Sequence, residues 1–283
     1  MSKKYFRSNI IPMIARLICW FAVLCLLPTT LHAQSTEAGL KSRLLHKPLY
    51  LRGLWGDDNL HFDPQGKLIG NSDPVSFTLS GIEIIKIQLK QDHLQLLGRR
   101  MGLELTEPTP KLSPLLLGTP RSPHEEAIHL EIAAPASGDY SSALDTIFAK
   151  GIAELVPGLP LWWQPYAQKH FLPDGASDYT PPTLGPDRPM RVGGSVMSPT
   201  ILIGKEADFN LYAKLMKFQG KVLIHLVVDR NGKATRLNIE RGIGLGLDER
   251  ALTAVRNYVF SPATQNGKPV TVEINMEVNF EIY

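Results

Sequence analysis

VTVEINMEVNFEI, residues 270–282, alternates without a break. Val270, Val272, Ile274, Met276, Val278, Phe280 and Ile282 fall on one side, and Thr271, Glu273, Asn275, Glu277, Asn279 and Glu281 on the other. A period of two is that of a β-strand with one buried and one wet face. At about 3.3 Å per residue such a strand would reach about 40 Å, long enough that part of it is expected to project or to offer an edge to a partner.

Upstream, Asn266-Gly267-Lys268 is turn chemistry and Pro262 stops any preceding helix. Ala251, Leu252, Ala254, Val255 and Tyr258 share one helical face, with Asp248 as its expected cap. Val222, Ile224, Leu226 and Val228 mark a strand, Asp229-Arg230-Asn231-Gly232 a hairpin turn, and Thr235, Leu237 and Ile239 the return strand. Phe209, Tyr212, Ala213 and Met216 predict a helix within 207–218. The order helix, strand, hairpin, strand, helix, strand predicts an α+β domain over 201–283, an antiparallel sheet packed against two helices.

Residues 172–200 are rich in Pro, Gly, Asp and Ser and are expected to be a linker. Before it, 45–171 reads as a mainly β middle domain with a helix. Short apolar runs at 49–51, 60–62, 75–79, 82–89, 94–96, 103–105 and 128–132 predict an antiparallel meander of about six strands. Leu144, Ile147, Phe148, Ile152 and Leu155 predict a helix over 142–155. Trp162, Trp163 and Tyr166 follow, an aromatic cluster that fills a core or domain junction, or else forms a contact surface for a partner or a glycan.

With 283 residues and 43% apolar content the chain can bury two cores. Lys3, Lys4, Arg7 and Arg16 lead into an apolar run at 17–28 and then small residues up to Ala33. That is an export signal expected to be cleaved after Ala33, with an uncleaved membrane anchor as the alternative. Loss of 1–33 would leave 26 basic against 27 acidic residues, turning the net charge from +3 to −1. The basicity therefore gives no support for nucleic-acid binding. Cys19 and Cys25 would leave too, and with them any disulfide or thiolate chemistry.

No constellation for catalysis stands out. His124 and His129 are five apart and run into a strand pattern, which fails the helical spacing of a zinc protease. Gly242-Ile243-Gly244-Leu245-Gly246 precedes Asp248 and Glu249, whose charges would repel a pyrophosphate, so it is expected to be a flexible crossover. The expectation is a chain without catalytic, cofactor-binding or metal-binding residues.

From about residue 190 onward, several blocks occur together in order. They are Val192-Gly193-Gly194-Ser195-Val196, Gln219-Gly220-Lys221-Val222, Val228-Asp229-Arg230-Asn231-Gly232, Gly246-Leu247-Asp248, Phe260-Ser261-Pro262-Ala263, Gly267-Lys268-Pro269-Val270 and Val278-Asn279-Phe280. They resemble the carboxy-terminal domain of TonB-type energy transducers. The resemblance implies a periplasmic domain that pairs a strand with outer-membrane receptors, driven by inner-membrane proton-powered motor proteins when an anchor is retained. Carried onto this chain, the edge of 270–282 would bind the partner, with Asn275, Glu277 and Asn279 beside it. The family's tyrosine-proline pair has no counterpart here, where Phe209-Asn210 and Tyr212-Ala213 stand near its place, and the long proline- and lysine-rich spacer is absent. The other reading is a soluble periplasmic binding or scaffold protein that contacts the cell wall.

Overall fold

The computed structural model describes residues 35–105, 109–173 and 188–282. The export signal expected in 1–33 lies outside them, as do 174–187 of the expected linker. Residues 34–283 form one compact unit of mixed helix and strand. No helix among the described residues is long and apolar enough to cross a membrane.

The first sheet is built from β1 (Pro48–Leu51), β2 (Asn59–Phe62), β3 (Gly81–Leu89), β4 (His93–Glu104), β5 (Lys111–Pro114), β8 (Ala127–Ala133) and β9 (Phe148–Ala149). A separate hairpin, β6 (Leu116–Thr119) and β7 (Ser122–Glu125), intervenes. Strand order is β2-β8-β4-β3-β1-β9, with β5 beside β4, and β2 runs parallel to β8. The meander expectation is thus corrected: within this sheet, sequence neighbours pair only at β3–β4 and β4–β5. Residues 77–79 are a 3-10 turn, not a strand, and Leu103 belongs to the long β4.

The pairing of β3 with β4 slips by one residue between Ile84 and Lys86. Ile82 and Ile84 are buried, Ile85 and Lys86 are both exposed, and Ile87 is buried again. The bulge flips the side-chain parity, which is why no single alternation fits 82–89. Helices α1 (Glu37–Leu44) and α2 (Ser141–Ile147) cover one face of this sheet with Leu40, Leu44, Leu144 and Ile147. The helix expected over 142–155 ends at Ile147, because Phe148 turns extended to pair with β1.

After α3 (Gln164–Phe171) come three short strands, β10 (Met190–Arg191), β11 (Val196–Met197) and β12 (Thr200–Ile203), then α4 (Leu211–Leu215). The second sheet follows, built on β13 (Gly220–Val228), β14 (Ala234–Arg241) and, beyond α5 (Leu247–Arg256) and the short β15 (Val259–Ser261), β16 (Ala263–Gln265) and β17 (Lys268–Val270), on β18 (Val272–Phe280). Its order is β10-β18-β13-β14, antiparallel except for the parallel β10. Val272, Val278 and Phe280 are buried and Asn275, Glu277 and Asn279 exposed, so β18 keeps the expected alternation over nine residues, not thirteen. Val270 belongs to β17, and Ile282 lies past the end of β18.

Helix α5 covers β13 and β14 with Leu247, Ala251, Leu252 and Val255. The short α4 buries Ala213 in the same core and also packs against β6, and α3 adds a further helix on β14. One of the helices packed on this sheet therefore originates outside 201–283. The shared core runs from Leu103, Leu155, Val156 and Trp163 to Ile224, Leu226 and Phe280.

The turn at 229–232 closes through Asp229, whose Oδ1 accepts the N–H groups of Asn231 and Lys233 at 2.8 and 2.9 Å. Gly232 sits at φ 77°, and a Cβ there would lie 1.8 Å from the Phe260 carbonyl oxygen. Gly232→Ala is expected to lose about 2 kcal/mol or more, since the left-handed backbone alone costs a side chain about 1–2 kcal/mol. Urea unfolding of the full chain measures it.

Candidate partner-binding edge

One edge of β18 is filled by β13 along its whole length, from Gly220 opposite Phe280 to Val228 opposite Val272. The other meets only β10, where Met190 and Arg191 pair with Val272 and Glu273. Met190 donates its N–H to the Thr271 carbonyl at 2.9 Å, which fixes which residues point outward. Main-chain groups alternate sides along a strand, so the outward set is Thr271, Glu273, Asn275, Glu277 and Asn279. Beyond Glu273 no strand lies beside them among the described residues. The opposite edge of the sheet is less open: Ile239 on β14 donates its N–H to the Trp162 carbonyl at 2.9 Å.

Asn275, Glu277 and Asn279 thus lie in one strip, with their side chains on the wet face and their peptide groups along the open edge. The side chains of Asn275 and Glu277 lean over the sheet. His225 Nδ1 is 3.0 Å from Asn275 Oδ1, and Glu277 accepts from Lys221 at 2.8 Å and Arg241 at 3.5 Å. The bond to Glu277 raises the Lys221 pKa. Such exposed pairs contribute little stability. What remains for a partner is mainly peptide N–H and C=O.

Of the readings of the aromatic cluster, the core or junction is the one observed, not an open contact surface. Trp163 is fully buried, edge-on to Phe77 at 4.9 Å, and Tyr166 is buried and stacked on His170 at 4.3 Å. Trp162 is half-buried under the Arg256 guanidinium, 5.6 Å from its ring centroid. These rings belong to the junction between the two sheets, where Gly242 lets Trp163 approach: a Cβ on Gly242 would lie 2.9 Å from the indole.

Gly242–Gly246 is likewise a buried junction and not a flexible crossover. Leu105 donates to the Ile243 carbonyl at 2.8 Å and Leu245 to that of Leu103 at 2.9 Å, while Gly246 donates to Thr78 Oγ1 at 2.9 Å. Gly244, Leu245 and Gly246 are all left-handed, with φ of 94°, 51° and 71°. That curl aims the Ile243 and Gly244 N–H groups at Asp248, whose carboxylate accepts both at 2.8 Å. Asp248 therefore braces the loop before α5, and the cap position itself is Gly246.

Sequence reasoning also missed a carboxylate pair. Asp248 is fully buried, and next to it Glu249 Oε1 accepts from Trp163 Nε1 at 2.8 Å and Ser76 Oγ at 2.9 Å. Glu249 Oε2 is buried without a hydrogen-bond partner. Burial pushes both carboxyls above their usual range, and the charge of Glu249 pushes Asp248 further. Two acids opening a helix look like surface residues favoured by its dipole. Only the Trp-Trp pair hinted at what buries them.

Residues 207–282 match the family model described as Gram-negative bacterial TonB protein C-terminal. The segment is consistent with a TonB C-terminal domain. No curated protein matches the chain. The TonB match contains α4, α5 and all of β18, hence the open edge; β10 and the partners of Glu249, Ser76 and Trp163, lie outside it.

Proposed function

We propose that this is a TonB-like protein of the cell envelope that grips an extended segment of an outer-membrane receptor as an added strand on β18 and so supports transport. The observation behind the reading is the unpaired outer edge of residues 274–280. Asn275, Glu277 and Asn279 each offer one N–H and one C=O, so about six main-chain bonds at roughly 1 kcal/mol net apiece are available to a guest. Cysteines placed singly at 275, 277 and 279 are expected to trap a cysteine in the receptor's periplasm-facing segment as disulfides in successive register. Equal trapping by Arg236→Cys, on β14, would defeat the proposal.

A second reading, a soluble periplasmic binding protein without force transduction, is favoured by the core that joins 201–283 to the segment before it. Fractionation with amino-terminal sequencing separates the two. A mature form starting at Gln34 selects the second, and a membrane-retained leader the first.

A further inference from the structure

The joint between 45–171 and 201–283 is mostly apolar, and yet Glu249 is set in it beside Asp248. Its Oε1 is held by Ser76 and Trp163, both from the earlier segment, while Oε2 has no partner. An ionised carboxylate placed in this way leaves half its charge unsolvated, which is costly; a proton on Glu249 removes the charge and leaves the two bonds to Oε1 intact. We propose that Glu249 is a proton-operated latch, closing the joint between the two segments when protonated and loosening it when ionised. The chemistry is a single proton moving between solvent and the carboxyl.

Solvent reaches the latch from one side. A cleft of about 440 Å³ is lined by Glu249 together with Lys205, Glu206, Asp208 and Arg250. Lys205 is spent on Asp208 at 3.4 Å, and Arg250 is exposed. On the joint side Ser76 and Trp163 carry no charge, and the strand residues beneath α5, Ile224, Leu226, Val228 and Ile239, are apolar. The titratable neighbour on the helix itself is Asp248, which has two N–H donors of its own but which burial and the charge of Glu249 raise to about 8, so the two carboxyls titrate as a pair.

The sign follows from which state holds its proton longer. In an opened joint Glu249 ionises near its ordinary value of 4.5, whereas burial raises it in the closed one. The closing contribution is therefore complete below about that value and declines as pH rises toward neutrality and beyond. Because the joint carries part of the core, acid is expected to tighten the attachment of the TonB-type segment and alkali to free it. The inference does not depend on strand addition at β18.

The indole N–H of Trp163 reads the latch directly in the purified full chain, its resonance assigned with Trp163→Phe. It is expected to titrate above the usual carboxylate range, to move to higher pH in Ser76→Ala, which removes a bond favouring the ionised form, and to stop titrating in Glu249→Gln. Amide exchange at Leu105 and Leu245, corrected for intrinsic rates, is expected to show about tenfold more opening at pH 8 than at pH 5, and no difference in Glu249→Gln. An indole signal fixed between pH 5 and 8, or an unchanged titration in Glu249→Gln, overturns the proposal. Should Glu249→Gln not fold, a midpoint unmoved by Ser76→Ala overturns it equally.

Discussion

Proline in place of Glu277 is expected to leave the sheet folded and weaken strand addition at least tenfold, whereas proline at the adjacent Met276 is expected to unfold the carboxy-terminal sheet. The two differ only in which way their N–H points. Met276 lies opposite Ile224 and its main-chain groups belong to the β13 ladder. Proline there removes the bond to β13, leaves its acceptor on β13 unpaired at about 1–3 kcal/mol, and forces the ring into the ladder. Glu277 turns its N–H to the open edge, where proline is tolerated because no ladder bond is lost. The residue before a proline is pushed toward extended backbone, which β18 already has. A guest strand, however, meets a missing donor and a ring at the middle of its binding site. Circular dichroism with urea unfolding should report near-normal stability for Glu277→Pro and collapse for Met276→Pro. Capture of the receptor segment by Glu277→Pro should weaken by at least tenfold. Normal capture by Glu277→Pro would mean that the partner binds elsewhere.

The second large effect is expected from Trp163→Ala. The side chain is fully buried, packs edge-on to Phe77 and Tyr166, and bonds to Glu249. Truncating a buried aromatic to alanine costs about 3–5 kcal/mol, and a buried acceptor stripped of its donor adds about 1–3 kcal/mol. Few domains carry more than 5–15 kcal/mol in total, so the variant should be at best marginally folded at room temperature. Trp163→Phe retains most of the packing and isolates the hydrogen bond, with an expected loss of about 1–3 kcal/mol. If Trp163→Ala unfolds at the same urea concentration as the parent, the two sheets do not depend on each other.

The parts legible in the sequence are those fixed by neighbours a few residues away. The alternation of β18, the hairpin at Asp229–Gly232 and the apolar stripe of α5 each follow from local period or turn chemistry, and so does the mixed α and β class. The outward strip of Asn275, Glu277 and Asn279 could be placed for the same reason. What escaped depends on contacts far along the chain. The buried seat of Gly242–Gly246 is made by Leu103 and Leu105, and that of Glu249 by Ser76 and Trp163. Arg100 illustrates the point: it is buried on Glu126 at 3.1 Å and on the carbonyls of Trp55, Gly56 and Asp57, a set that no local spacing announces. At Ile84–Lys86 the obstacle was different, since one inserted residue reverses the meaning of every later position in the strand.

β10 carries a consequence for any guest on β18. It occupies the first two places beside that strand, and Gly193 and Gly194, at φ 127° and 59°, then swing the chain away. A visiting peptide therefore meets a doorstop at Ile274 and cannot slide farther along. Its reading frame is set by the host, one residue per place from there to Phe280, and a shift of one place would turn every guest side chain to the wrong face.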